Sequence, residues 1–198
     1  MAEDIVHIIG ISGSLRRRSF NSALLRAAAG LTPEGCRIEI ASIEGIPLYN
    51  GDLEGAEGAP AAVSQLKDRI ASADALLLVT PEYNNSMPGV MKNAMDWLSR
   101  PPEDIDRVFG YKPVGLMGAS PGRLGTVHAQ TAWLTVFRAL GVTPWFGENL
   151  YVSRASGLFD DSGRLTDEDT RRRLAHYVEG FVTFIRAQQR HSTKDKEA

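Results

Sequence analysis

The sequence predicts an α/β architecture, a parallel sheet with helices on both faces, from three observations. Strand-like apolar segments alternate with helix-like ones along the chain, five of each. Two strands, residues 5–11 and 74–80, are apolar almost without interruption, as strands buried on both sides must be. The segments after the first, third and fourth strands are long and rich in Gly, Ser, Pro and Asn. In a parallel sheet such loops share the carboxyl-end rim, where ligands bind.

The elements follow in order. Ile5, Val6, Ile8, Ile9 and Ile11 make the first strand, and residues 21–31 a helix with Leu24, Leu25 and Ala28 on its inner side and Gly30 near its end. Residues 37–41 alternate as a second strand nearer an edge. Residues 50–60, rich in Gly, Ala and acids, read as a mobile loop. Val63, Leu66 and Ile70 give residues 61–72 a helical stripe, and the third strand follows. Residues 81–89 carry prolines at both ends and form a loop. Pro88 sits in the first turn of a helix that runs through Trp97. Residues 113–120 form the fourth strand, 121–125 a Gly-rich loop, 126–140 a helix and 142–152 a fifth strand. Thr166 opens the last helix, residues 166–189, with Asp167, Glu168 and Asp169 where the dipole favours them.

At 198 residues, 43% hydrophobic and 23% charged, the chain suits one domain, residues 1–190, with a polar, frayed tail at 191–198. A net charge of −2 gives no reason to expect nucleic acid or an anionic membrane as partner, and Arg16-Arg17-Arg18 is too short for a nucleic-acid arm. A single cysteine, Cys36, excludes an intrachain disulfide. With no signal pattern and no membrane-spanning apolar run, the expectation is a cytoplasmic protein.

The first loop carries the strongest chemical signal. Gly10-Ile11-Ser12-Gly13-Ser14-Leu15-Arg16-Arg17-Arg18-Ser19-Phe20-Asn21 turns from strand into helix. Its glycines let backbone N–H groups converge, Ser14, Ser19 and Asn21 add donors, and the helix dipole points at the same place. Arg16 offers a forked cation. The loop has neither GxxxxGK[ST] order nor GxGxxG spacing, so it suits a terminal monophosphate such as that of FMN. In the second loop, Pro81 stiffens the strand exit, Tyr83 can flank a planar ring, and N–H groups from Glu82 to Asn84 can meet a heterocycle edge. In the third, Ser120, Gly122 and Gly125 allow close backbone approach. Together these describe a flavin site.

Gly13-Ser14-Leu15-Arg16, Ser19-Phe20-Asn21, Pro81-Glu82-Tyr83-Asn84, Lys92-Asn93 and Asp96-Trp97-Leu98-Ser99-Arg100 resemble the NADPH-dependent FMN reductase family, in its bacterial chromate or quinone reductase branch. The resemblance implies a flavodoxin-like, doubly wound five-stranded parallel sheet in the order 2-1-3-4-5, bound FMN, and a homodimer or homotetramer. It implies that Ser14, Arg16, Ser19 and Asn21, with Phe20 in the same motif, hold the FMN phosphate. Pro81, Glu82, Tyr83 and Asn84 would meet the isoalloxazine, and Ser120 to Gly122 would approach it from the third loop. The implied reaction is ping-pong: NAD(P)H gives hydride to the flavin, then a small acceptor takes the electrons in the same place. No protein nucleophile is expected, Tyr83 would shape the nicotinamide and acceptor slot, and Arg17 and Arg18 are candidates for the extra phosphate of NADPH. The chain departs from several members at His128, where they carry arginine, and near Trp145, where they carry an acid; Glu148 is a nearby substitute.

Two other readings compete. Gly118-Ala119-Ser120-Pro121-Gly122 matches GxSxG, which would make Ser120 a hydrolase nucleophile with Asp160 or Asp161 and His176 as partners. Against it, Pro121 has no N–H for the usual oxyanion hole. A non-catalytic flavodoxin-like electron carrier would dock partners through an acidic surface, which the near-neutral charge does not favour. His7, His128, His176 and His191 lie in separate elements without metal spacing, so no metal is expected. Cys36 lacks an activating neighbourhood and reads as inert. The apolar excess on the helix of residues 91–98 predicts a face covered by a second copy, and Trp97, Trp133 and Trp145 read as core or interface residues.

Overall fold

The computed structural model describes the backbone of residues 5–197 and the side chains of residues 5–190. The elements are β1 (Val6–Ser12), α1 (Phe20–Ala29), β2 (Cys36–Ala41), α2 (Gly51–Glu57), α3 (Ala61–Ala71), β3 (Ala75–Val79), α4 (Gly89–Leu98), α5 (Ile105–Phe109), β4 (Pro113–Ala119), α6 (Val127–Leu140), β5 (Thr143–Pro144), β6 (Leu150–Val152) and α7 (Glu168–Glu197). All strand pairs in the sheet are parallel, in the order β2-β1-β3-β4-β5, with β6 also pairing with β4. This is the doubly wound flavodoxin-like topology.

Period-two alternation along the central strands divides the core. Ile9, Ile11, Leu76 and Leu78 point into a layer closed by α3, α4, α5 and α6, with Trp97 and Trp133 fully buried. Val6, Ile8, Leu77 and Val79 point the other way, against Leu24, Leu25 and Ala28 of α1 and Leu174, Tyr177 and Phe181 of α7. Trp145, only partly buried, packs edge-on against Tyr177, with ring centroids 4.9 Å apart. Burial raises the Tyr177 phenol above its ordinary range, and its hydroxyl donates to the Leu116 carbonyl at 3.0 Å. Burial also pushes the Cys36 thiol up to about 11, in keeping with an unreactive side chain. His7 Nε2 lies 2.8 Å from Glu39, a satisfied structural contact.

Several local expectations are corrected. Residues 50–60 are not simply loop, because Gly51–Glu57 is helical. Asn50 caps it by accepting from the Asp52 N–H, and Glu54 is held by Arg100 at 3.0 Å and by the Tyr49 hydroxyl at 2.8 Å. The expected fifth strand is two short ones, separated at residues 145–149. The last helix is capped by Asp167, whose carboxylate accepts from the Thr170 N–H at 2.8 Å; Thr166 donates its hydroxyl to the Leu158 carbonyl instead. That helix continues through Glu197, beyond the expected end at residue 189, and the side chains of the expected polar tail, 191–198, lie outside the described residues.

The apolar residues of α4 do not form a free face either. Met91, Ala94, Met95, Trp97 and Leu98 are buried within this one chain. The 3.6 period conceals this because α4 is enclosed on two sides, by the sheet and by α3. Pro88 occupies the N-cap, one position before the first turn.

Lys67 is the one buried ammonium among the described residues. Its head bonds the Arg100 carbonyl and the Asp104 carboxylate, joining α3 to the turn before α5. Lys67, and after it Arg107, holds the Asp104 carboxyl below its ordinary value of 3.8. Lys67→Met should cost about 1–3 kcal/mol by urea unfolding at neutral pH. A depressed carboxyl contributes stability above its unfolded pKa and loses it as pH falls through the folded one, so the wild-type advantage should narrow below about pH 4.

Candidate active site

Loops after β1, β3 and β4 open together at the carboxyl rim, and side-chain braces hold them there. Asn21, buried in the first turn of α1, donates from Nδ2 to the Ala119 carbonyl at 2.9 Å and accepts from the Ala119 N–H at 2.8 Å. One N–H of its amide and the amide oxygen are therefore committed to the end of β4. The backbone N–H of Asn21, at the start of α1, is a further donor beside the side chain expected to meet the phosphate.

Glu82 is the second brace. One carboxylate oxygen accepts from the His128 N–H at 2.8 Å and the Ala129 N–H at 3.0 Å, capping α6 from a different loop. Thr126, at the N-cap position of α6, makes no side-chain cap bond. The carboxylate thus satisfies two of the helix's orphan donors and faces the positive end of its dipole. Beside the cap, the backbone of Glu82 remains for a ligand.

Close packing adds to these bonds. A Cβ on Gly13 would lie 2.6 Å from Met91 Sδ and 2.9 Å from Pro81 Cδ, and one on Gly118 would lie 2.2 Å from the Thr80 carbonyl oxygen. Buried Thr80 accepts from Trp133 Nε1 at 3.1 Å and donates to the Pro81 carbonyl at 2.9 Å. The β3 strand is locked where its loop begins.

Other expected site residues stand as follows. Ser14 is nearly buried; its Oγ accepts from the Arg16 N–H at 3.3 Å and lies 3.4 Å from the Tyr83 hydroxyl. Ser19 is the N-cap of α1, accepting from the Ser22 N–H at 3.2 Å. That cap leaves the N–H groups of Phe20 and Asn21, at the start of α1, without intrahelical partners. The Phe20 ring stacks on Phe159, centroids 5.7 Å apart, so it supports the loop from behind. Arg16 is exposed and makes no ion pair among the described residues. Pro81 is buried.

Tyr83 is 42% exposed at the rim. Its N–H donates to the Ser86 carbonyl at 3.1 Å across a tight turn whose central residues, Asn84 and Asn85, are left-handed (φ 51° and 57°). This removes the Tyr83 N–H from the donors expected of residues 82–84. Ser120 Oγ accepts from the Gly122 N–H at 3.1 Å, and the loop is pinned by Arg154 N–H to the Gly122 carbonyl and Ala155 N–H to the Ser120 carbonyl. The segment 152–155 carries no motif, and nothing in the sequence singles it out as a support.

The hydrolase reading finds no triad among the described residues. His176 Nε2 lies 2.6 Å from Glu148 Oε1, Asp160 is bound to Ser162 and Arg164, and Asp161 pairs with Arg18. No cluster of metal-binding side chains occurs among the described residues.

The donor set fits FMN. A hydroxyl, an unpaired guanidinium and helix-start N–H groups suit a monoester dianion, and an exposed phenol beside a glycine-bearing loop suits a planar ring. The sequence pattern of the family described as NADPH-dependent FMN reductase matches residues 6–157. An NAD(P)H-dependent FMN reductase of Pseudomonas aeruginosa is 46% identical over 186 residues, 94% of this chain and 98% of the relative. A 2-hydroxy-1,4-benzoquinone reductase of Burkholderia is 39% identical over 176 residues, 89% of this chain and 94% of that one. Among solved structures, the flavoenzyme NAD(P)H:(acceptor) oxidoreductase FerB of Paracoccus denitrificans superposes with a TM-score of 0.82 at 33% identity, covering 92% of this chain and 98% of its own. With the rim geometry and these relatives agreeing, the chain belongs to the NADPH-dependent FMN reductase family.

Proposed function

We propose that this protein uses bound FMN to pass electrons from NAD(P)H to a small acceptor of the quinone or free-flavin class. The observation that carries the proposal is the convergence of three loops at one rim, with phosphate-type donors in the first and an exposed tyrosine in the second. Bound FMN supplies the redox chemistry, accepting hydride from the nicotinamide and giving up electrons to the second substrate.

The chain's own part is binding and orientation. Ser14, Arg16, Ser19 and the backbone of Phe20 and Asn21 would grip the phosphate. Pro81, the backbone of Glu82 and Asn84, and the Tyr83 ring would border the isoalloxazine, with Ser120 and Gly122 approaching from the other side. An exposed ring at the rim leaves room for nicotinamide and acceptor in turn, which supports one shared slot. No side chain here is positioned as a nucleophile, and none is needed.

The further parts of the reading are a cytoplasmic location, a homodimer or homotetramer, and chromate among the acceptors. No helix among the described residues is long and apolar enough to cross a membrane. Exposed Leu48 and Tyr49, the latter packed against Asn93 and Trp97 of α4, and exposed Val90 in its first turn support a subunit contact along α4 better than its buried face does.

The purified protein should show a flavin absorption spectrum, or acquire one with added FMN, and anaerobic NADPH alone should bleach it. A protein that stays colourless in excess FMN would overturn the proposal, and bound flavin inert to both nicotinamide dinucleotides would favour the electron carrier. Glu82→Ala should weaken FMN binding by roughly tenfold and lower stability by about 1–2 kcal/mol, through loss of the cap. Glu82→Gln, which keeps an acceptor, should recover most of both in fluorescence titration and thermal melts.

A further inference from the structure

A cavity of about 340 Å³ lies on the outer flank of α1, between that helix and residues 156–163. Arg16, Arg17, Arg18 and Ser19 line one end of it; Ala23 and Arg26 line its length, and Phe20 and Phe159 form its apolar wall. Ser19, Ala23 and Arg26 stand at i, i+4 and i+7, one stripe of α1, which is why a residue two turns from the loop joins it.

The charge balance of this cavity is unlike that of the chain. Four guanidiniums border it. Only Arg18 has a carboxylate partner, Asp161 at 2.9 Å, while Asp160, also on the lining, is committed to Ser162 and Arg164. Among the described residues Arg16, Arg17 and Arg26 make no ion pair, although the whole chain is net negative. Unpaired guanidiniums that share a concavity repel one another unless an anion lies between them. Arginine forks beside an aromatic wall also suit a phosphorylated nucleoside, with the base on the ring and the phosphate on the cations.

We propose that this cavity binds the 2′-phosphorylated adenosine of NADPH, with Arg17 and Arg26 as its phosphate-recognising residues. The proposal rests on the oxidoreductase reading above and adds a cofactor preference to it. Arg17 stands three positions after Ser14, which faces Tyr83, at most about 11 Å of chain. A single dinucleotide can therefore serve both the rim and the cavity. The arginine run holds two roles: Arg18 is taken by Asp161, leaving Arg17 for the ligand.

The shared chemistry is a phosphate monoester, which the FMN tail would also supply, and the experiment separates the two. The FMN-loaded enzyme and its Arg17→Ala, Arg26→Ala and double variants are compared in kcat/KM for NADPH and NADH, in FMN affinity, and in binding of 2′,5′-ADP by calorimetry. The expected result is a fall of about tenfold or more in the NADPH:NADH ratio for the double variant, with 2′,5′-ADP binding lost and FMN affinity held within about threefold. Equal losses with both dinucleotides, or unchanged 2′,5′-ADP binding, would overturn the assignment. Loss of FMN affinity in its place would give the cavity to the flavin phosphate. Should wild type hold no FMN at all, the oxidoreductase reading fails, while 2′,5′-ADP titration still decides what the cavity binds.

Discussion

The site depends on one buried amide. Asn21 engages both backbone groups of Ala119, so the start of α1 and the end of β4 move as a unit. Parallel strands bring their carboxyl ends to one rim but do not set the distance between the loops that follow. That distance is set here by side chains reaching across. Each of these bonds is worth roughly 1 kcal/mol net, yet breaking the pair strands a buried N–H and a buried carbonyl at about 1–3 kcal/mol each. The asymmetry makes the brace stiff.

Glu82 does the same for the second loop, with electrostatics added. Its carboxylate faces the positive end of α6 and accepts two N–H groups, so a negative charge beside the proposed flavin site is matched at its source. A loop held in this way keeps its backbone turned to the rim before any ligand arrives, and ordering it costs little on binding. The tight turn at Asn84 and Asn85 and the locked Thr80 hydroxyl act in the same direction.

Much of this was legible in the residues. Continuous apolar strands and interleaved helices carried the sheet type, and the first two loops carried the ligand class. The difficulty lay in what each polar side chain does. Asn21 and Glu82 stand inside ligand motifs, so they read as ligand contacts, yet their partners are backbone groups 98 and 46 residues away. Local spacing holds no record of such partners. The same cause hid Arg26, whose helical stripe is visible but whose facing wall, 156–163, arrives only with the tertiary fold. The short helix α2 was obscured by its glycines and acids, because Arg100, distant in sequence, holds Glu54 in place. Where the fifth strand divides, Gly147 lies so close to Trp145 that a Cβ there would fall 2.4 Å from the indole nitrogen, a packing that local spacing does not reveal.

If the braces set the rim in advance, the amides they bind should be shielded without any cofactor. Residue-resolved hydrogen exchange on FMN-free protein measures this directly at Ala119, His128 and Ala129. The account predicts protection at all three comparable to that of the neighbouring β4 and α6 interiors, and little change when FMN is added. Fast exchange in the free protein, with protection appearing only on FMN binding, would show that the ligand builds the rim and would contradict it.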